Sequence, residues 1–478
     1  MSRPTSFNLP WLKIALSVIF GFSLYLRFWH LGQFNVLVFD EVYYAVFANN
    51  YLTNTNFFNA HPPLCQYLIA IGIWLGSHFP WGQDQVNGLS GSLLSTLSYR
   101  WLNAVTGAFI PVIIGAIAFE LTNLRSYGVI AAWLAAMDGL FLVESRYALS
   151  NIYLVIFGLL GQLWLLFALG DDSSKRWLKL ALAGVFFGAS VAVKWNGLGF
   201  LLGIYLLWCL MRLRYLFVNS SLTEESPTVI TTTLLQLKNL NLLHLGGYLG
   251  IIPALTYSLL WIPHLIMNPQ YNFWEIHQQI WGYHQQVGGS EIHPYCSSWY
   301  HWLWMWRPIA YFYHRAIDTR EVVPNYPPLP DGVGQIIYDV HALGNPILWW
   351  LSTGAILVLS LLLILAVFYR RNYLHAVSTH TWASLFIVVN YGANFLPWVK
   401  VTRCTFLYHY MSASVFATLA LAWILDRTLR SHRLVYRWSG IVAIAAIVAA
   451  FCFWLPIYLG IPLSIEGYRW RMVLFNWV

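Results

Sequence analysis

The chain has 478 residues, 59% hydrophobic and 9% charged, with 26 Lys plus Arg against 18 Asp plus Glu for a formal excess of +8. Soluble globules carry about 25% charged residues, so the groups needed to cover a water-facing surface of this size are missing and most of it must meet lipid. Disorder and nucleic-acid binding are excluded too, because the long apolar runs leave no basic stripe to follow phosphates.

Each bilayer crossing needs roughly 20 apolar residues, and about eleven stretches qualify. In chain order they run Trp11 to Trp29, Tyr99 to Phe119, Tyr127 to Val143, Ala148 to Leu169, Trp177 to Val193 and Gly197 to Phe217. Leu242 to Ile266, Ile347 to Phe368, Trp382 to Pro397, Thr405 to Leu425 and Ser439 to Ile461 follow. Leu64 to Phe79 lies between a Pro-Pro pair and a Pro-Trp-Gly turn and reads as an interfacial segment. The expected fold is an all-α polytopic membrane protein, one integral domain over 1–478, with long outer loops at 30–98 and 267–346 that carry interfacial helices.

Lys and Arg gather in cytoplasmic connections, which tests this count. With the amino terminus inside, the inner set holds Arg3, Lys13, Arg125, Lys175, Arg176, Lys179, Arg212, Arg214, Lys238, Arg370, Arg371, Arg427, Arg430, Arg433 and Arg437. Leu31 to Ser98 contains no Lys or Arg before Arg100 opens the second span. An odd number of crossings places the carboxyl terminus outside. The first apolar stretch lacks a small-residue cleavage signature and is expected to stay as an anchor, in a multi-pass protein of the plasma (inner) membrane. Inside, Asn219 to Asn241 is the one plausible linker.

Charges that a membrane protein does not need for solubility mark the candidate chemistry. Asp40 and Glu41 adjoin one another between apolar and aromatic neighbours at the exit of the first span. If helical, their side chains diverge by about 100°, so only one can enter a given cleft and the two should differ in role. Downstream, Pro62 and Pro63 stop any helix and fix His61 at a turn back towards the membrane. Arg100, Arg146, Lys194, Lys400 and Arg403 stand at outer span ends, where guanidinium and ammonium groups suit a lipid phosphate as well as they suit snorkelling or pairing with Asp138 and Glu144.

The second outer loop crowds Trp299, Trp302, Trp304, Trp306, Tyr311 and Tyr313, which read chiefly as an interfacial aromatic belt. His277 and His284 share a helical interval there, and His293, His301 and His314 follow, but no H-E-x-x-H accompanies them and no metal site is assigned. A metal held with Asp40 or Glu41 stays an alternative. Five cysteines show no C-x-x-C spacing and no disulfide framework. Cys65 and Cys296 share the outer side, so either they pair or both are free.

The order of these motifs resembles the protein O-mannosyltransferase family. Phe39-Asp40-Glu41, His61-Pro62-Pro63-Leu64, Tyr99-Arg100, Ser145-Arg146-Tyr147 and Lys194-Trp195-Asn196-Gly197 carry the likeness in the first half. His293-Pro294-Tyr295, Arg307-Pro308, Leu343-Gly344-Asn345-Pro346 and Leu396-Pro397-Trp398 through Arg403 to Tyr408-His409-Tyr410 continue it. Two departures stand out. Where the family usually reads His-Pro-Tyr-Ser-Ser-Arg-Trp, this chain has Cys296, Ser297 and Ser298 before Trp299; where it usually reads Pro-Arg-Ile-Thr, this chain has Thr402-Arg403-Cys404-Thr405.

The resemblance implies a GT-C membrane glycosyltransferase of the compact bacterial type. Its members move mannose from a polyprenyl phosphate to Ser or Thr hydroxyls of polypeptides at the outer face. It implies Asp40 as the base, Glu41 as the neighbour that orients the acceptor or the surrounding loop, and Arg100, Arg146, Lys194 and Arg403 as phosphate ligands. It extends the candidate substrate-binding set to His61, His293, Tyr295, Tyr408 and His409, with no required cofactor; pairing of subunits stays open. A transferase acting on a lipid or envelope polysaccharide is the alternative within the class, and a transporter using Asp40 and Glu41 as coupling carboxylates is the alternative outside it.

Overall fold

The computed structural model describes residues 10–171, 173–217, 236–237, 239–316, 336–369 and 379–477. Most of the linker expected at Asn219 to Asn241, and several inner charges including Arg3, Lys238, Arg370 and Arg371, lie outside the described residues.

Among the described residues, nine helices are long and apolar enough to cross a membrane, or ten when one bent pair is taken as a single span. All eleven expected stretches are helical, but two fall short of a straight crossing. Thr379–Phe395 is 17 residues long. The other, expected as Tyr127 to Val143, is broken into Arg125–Ala136 and Gly139–Arg146, bent by 60°. Asp138 causes the break: its carboxylate accepts from the backbone N–H of Leu140 and Phe141 at 2.8 and 3.2 Å, starting a new helix within the span. Gly139 lets the bend close, since a Cβ there would stand 2.2 Å from the Tyr458 ring.

The crossings begin with α1 (Pro10–Phe28), and the first outer loop then forms α2 (Glu41–Thr53) and α3 (Leu64–Gly76). Thirteen residues at 1.5 Å each give α3 about 20 Å, too short for a hydrocarbon core of about 30 Å. A hairpin of two-residue strands (Val86–Asn87 with Leu94–Ser95) leads into α4 (Thr96–Thr122), followed by the bent pair α5 (Arg125–Ala136) and α6 (Gly139–Arg146), then α7 (Asn151–Leu169), α8 (Arg176–Val193) and α9 (Leu198–Phe217). Next come α10 (Leu242–Met267) and the amphipathic α11 (Phe273–Gln286), which buries Ile276 and Ile280 and exposes Trp274 and Trp281.

α12 (Pro346–Tyr369), α13 (Thr379–Phe395), α14 (Met411–Leu429) and α15 (Leu434–Leu459) complete the bundle. α4 packs on α1, α5 and α7, α7 on α8, and α14 on α12, α13 and α5. Burial follows this order: 89% of the apolar window ending in α14 is inside the protein and 78% of α7, against 28% of α1 and of α15, whose apolar sides are left for lipid.

The fold is not purely helical. Ile309–Ala316 and Ile336–Ala342 pair antiparallel from Ile309 with Ala342 to Ala316 with Ile336, and Leu463–Ser464 adds a third strand. The middle strand of this small sheet is buried at every position and packs on α15 and α6. Its presence corrects the aromatic-belt reading for two rings. Tyr311 lies buried on the first strand and Trp302 is fully buried before it, whereas Trp304, Trp306 and Tyr313 are exposed.

Candidate functional site

The two adjacent carboxylates occupy different environments. Phe39 has φ 49, a left-handed conformation that non-glycine residues seldom adopt. Its ring lies flat on Tyr311, with centroids 4.4 Å apart, and meets Phe406 and Tyr408 edge-on. That turn aims Asp40 and Glu41 apart as α2 begins. Glu41 is fully buried and saturated: it takes Arg100 Nε at 2.9 Å and Arg100 Nη2 at 2.7 Å, plus the backbone N–H groups of Val38 and Ala148, both at 2.8 Å. Asp40 takes the cap position of the same helix yet makes no side-chain cap bond, and it faces a cavity of about 640 Å³ instead.

The cavity is lined from five parts of the chain. Asp40 and Tyr44 come from the start of α2, and His61 from the turn before α3. Lys194 comes from the end of α8, Tyr283, His284 and His293 from α11 and the loop after it, and Arg403, Tyr408 and His409 from the approach to α14. Lys194 is buried, with Nζ 2.9 Å from Asn151 Oδ1 and poised over the rings of Tyr408 and Tyr44 at 5.3 and 5.8 Å. Asn151 in turn donates to Glu144 at 3.1 Å, and the Tyr311 hydroxyl donates to the other Glu144 oxygen. A continuous polar chain therefore runs from the cavity lysine to the outer sheet.

Burial raises the Asp40 carboxyl to about 6, against the opposing pull of the Lys194 charge and a Tyr408 hydrogen bond. Burial pushes His61 well below the ordinary imidazole value, helped by the Lys194 charge, and holds His284 at about 4. Both rings, 5.4 Å apart, are thus neutral at pH 7 and able to donate or accept without adding charge. Among the described residues, no group of three or more His, Cys, Asp or Glu is arranged to hold a metal ion.

Seven expected site residues meet at this cavity: Asp40, His61, Lys194, His293, Arg403, Tyr408 and His409. Four do not. Glu41 is locked as described. Arg100 spends its remaining donors on the carbonyls of Leu31, Phe34 and Val36, and Arg146 donates to those of Leu26, Arg27, Trp29 and His30. Both guanidinium groups are buried and brace the chain between α1 and α2, so the expectation that they reach a lipid phosphate is corrected. Tyr295 lies under the Arg307 guanidinium, 5.4 Å from it, away from the cavity lining.

Sequence reasoning missed Tyr44, Asn151 and the site roles of His284, Glu144 and Tyr311. It also missed a disulfide. Cys296 bonds Cys404 across 108 residues, while Cys65 is buried as a free thiol, so neither a Cys65 to Cys296 pair nor two free thiols describes the outer side.

Residues 17–266 match the family described as dolichyl-phosphate-mannose-protein mannosyltransferase, and residues 269–477 match the C-terminal four TMM region of protein-O-mannosyltransferase. A polyprenol-phosphate-mannose--protein mannosyltransferase of Mycolicibacterium smegmatis is 25% identical, over 96% of this chain and 92% of its own. Its namesake in Corynebacterium glutamicum is 25% identical over 74% of this chain and 68% of its own. The S. cerevisiae protein O-mannosyltransferase Pmt1-Pmt2 complex bound to the sugar donor is similar in structure, with a TM-score of 0.76 at 15% identity, covering 98% of this chain and 92% of the other. ArnT from Cupriavidus metallidurans bound to undecaprenyl phosphate reaches 0.52 at 12% identity, covering 93% and 64%. At such identities the likeness is one of fold, the GT-C arrangement of membrane helices.

Proposed function

The chain belongs to the dolichyl-phosphate-mannose-protein mannosyltransferase family and is a membrane glycosyltransferase, and from that premise we propose that it moves mannose from a polyprenyl phosphate to Ser or Thr hydroxyls at the cavity beside Asp40. The observation that carries the reading is the division of the acidic pair: Glu41 has no free lone pair to offer, whereas Asp40 faces the cavity with its proton affinity tuned towards neutrality. The acceptor oxygen attacks the anomeric carbon as its proton passes to Asp40. The bond from that carbon to the phosphate oxygen breaks, and its electron pair leaves with the phosphate, inverting the centre.

Lys194 and Arg403 are the cavity cations suited to receive the phosphate charge, with His61 and His409 as additional donors. The phosphate is already an activated leaving group, so the step asks for no protein acid and no cofactor. Asp40, Lys194 and Arg403 come from one chain, so the chemistry needs no second subunit. We place the cavity at the outer face of the plasma membrane, with the amino terminus in the cytoplasm. Two observations support that orientation: the lack of Lys and Arg between Leu31 and Ser98, and a disulfide at the cavity rim that suits an oxidising compartment.

The test is Asp40→Asn in membranes supplied with polyprenyl-phosphate mannose and a Ser/Thr peptide. Transfer is expected to vanish while the lipid donor still binds; retained turnover refutes the role of Asp40. Mass spectrometry of secreted proteins from a deletion strain should show hexose lost from Ser or Thr, and unchanged glycopeptides with altered lipid or polysaccharide would redirect the acceptor assignment.

A further inference from the structure

One wall of the cavity is built from two segments of largely irregular chain. The first, residues 287–298, supplies His293; the second, residues 401–406, supplies Arg403 and Phe406. They are joined by Cys404 N–H to the Gly288 carbonyl at 2.8 Å, Ser297 N–H to the Thr405 carbonyl at 2.7 Å and Thr405 Oγ1 to the Ser297 carbonyl at 2.6 Å. The Cys296–Cys404 disulfide is the one covalent tie among them. Arg403 immediately precedes Cys404 and donates Nη1 to its carbonyl at 3.1 Å, so the side chain aimed into the cavity is referenced to the backbone that the disulfide holds. Arg403 also lines a second cavity of about 330 Å³ with His284, Gln285, Val287, Gly289 and Thr402.

The sequence adds an independent observation. Of the four positions at which these two motifs depart from the related family's usual pattern, Cys296 for a serine and Cys404 for an isoleucine are the two ends of one bond, and Thr402 for a proline is another. The first segment also carries Ser298 where the family has an arginine. The covalent cross-link thus stands two residues from that position.

We propose that the Cys296–Cys404 disulfide is a positioning device for donor capture, holding Arg403 at the depth where it meets the lipid phosphate, and that its reduction loosens capture without removing the base. The proposal rests on the mannosyltransferase reading above. Cys404 is buried, whereas Cys296 is partly exposed and open to a reductant. A dithiol thiolate attacks Cys296 Sγ, the S–S bond breaks and Cys404 leaves as a thiolate that takes up a proton. The second dithiol sulfur then attacks the mixed disulfide, releasing the Cys296 thiol and closing a cyclic disulfide: two electrons pass to the protein and the dithiol is oxidised.

The experiment titrates polyprenyl-phosphate mannose against a fixed Ser/Thr peptide, using the full chain in detergent, oxidised and after dithiothreitol. Alkylation and mass spectrometry count the thiols released. Reduction is expected to raise the half-saturating donor concentration about tenfold, the scale of weakening one charge-assisted phosphate contact, with turnover at saturating donor within about twofold. Cys296→Ser with Cys404→Ile, the residues the related family carries, should show the raised value from the outset and no response to dithiothreitol. Superimposable titrations with both thiols shown free overturn the proposal, as does a response that persists in the double variant. Should that variant fail to fold, reduction of the already folded wild type decides the matter alone. Absence of any transfer by the oxidised chain refutes the mannosyltransferase reading instead, a different result from transfer that is indifferent to reduction.

Discussion

Asp40→Asn should make the protein more stable while abolishing transfer, and the pH dependence of that gain tests the electrostatics of the site. Folding moves the Asp40 carboxyl from an ordinary 3.8 to about 6 because burial disfavours its charged form. At 1.36 kcal/mol for each tenfold change in proton affinity, keeping Asp40 ionised costs the folded state about 3 kcal/mol. The sign follows from linkage. Below pH 3.8 the group is protonated in both states and costs nothing; the cost grows between pH 3.8 and 6 and is complete above pH 6. Asparagine keeps the volume and an oxygen to accept from Tyr408, yet never carries the charge. Thermal unfolding of wild type and variant in the same detergent should therefore separate the two by about 3–6 °C at pH 7.5 and converge near pH 4. A variant no more stable at pH 7.5, or one whose advantage is undiminished at pH 4, would show that Asp40 is not held in a desolvated site.

The same ionisation sets the acid limb of activity: kcat/KM should fall about tenfold per pH unit below about 6, and a profile flat to pH 4.5 contradicts Asp40 as the base. Arg403→Ala should raise the donor half-saturation point with a much smaller change in turnover, and an unchanged donor titration removes it from the phosphate site. Arg100→Ala strands Glu41 without its counter-ion in a fully buried position, so a loss of about 3–5 kcal/mol is expected, read as lowered yield and melting temperature. An Arg100→Ala protein as stable as wild type, with only donor affinity lost, would return Arg100 to the phosphate site.

Hydropathy was sufficient to locate the helical stretches of the bundle, though not the exact number of crossings, because lipid imposes a length and an apolar composition on each crossing. The break at Asp138 was not legible: a carboxylate in an apolar stretch reads as a partner for a cation, and only the packed chain shows it capping two backbone N–H groups instead. The outer sheet escaped for a related reason, since Ile309–Ala316 lacks a clean alternation, with Ile309, Tyr311 and Ala316 buried but Tyr313 and Arg315 exposed, within a run of aromatics that also suits a headgroup belt. At the site, the acidic pair and its divergence were readable from adjacency alone. The commitments of Arg100 and Arg146 were not, because a cation at a span end looks the same in sequence whether it meets backbone carbonyls or a lipid phosphate. Cysteine spacing across 108 residues carries no signal at all.

The buried Glu41–Arg100 pair does more than brace the first outer loop: mutually neutralised, it adds no net charge beside Asp40. An unpaired guanidinium next to the acidic pair would favour the Asp40 carboxylate and make it a weaker base at neutral pH. Bidentate pairing with Glu41 neutralises that charge locally, leaving burial, Lys194 and Tyr408 to set the proton affinity. Glu41→Gln keeps the shape and one acceptor oxygen but uncovers the positive charge. At a separation on the order of 10 Å and an effective dielectric near 20, one uncovered charge would be worth about 2 kcal/mol. The acid limb of kcat/KM should then move down by about one pH unit or more in whatever fraction of Glu41→Gln folds, with a lower plateau because the carboxylate is a poorer base. A limb that stays at about 6 in this variant, with the plateau alone reduced, would mean that Glu41 serves only to shape the loop and that Asp40 is insulated from Arg100 by distance.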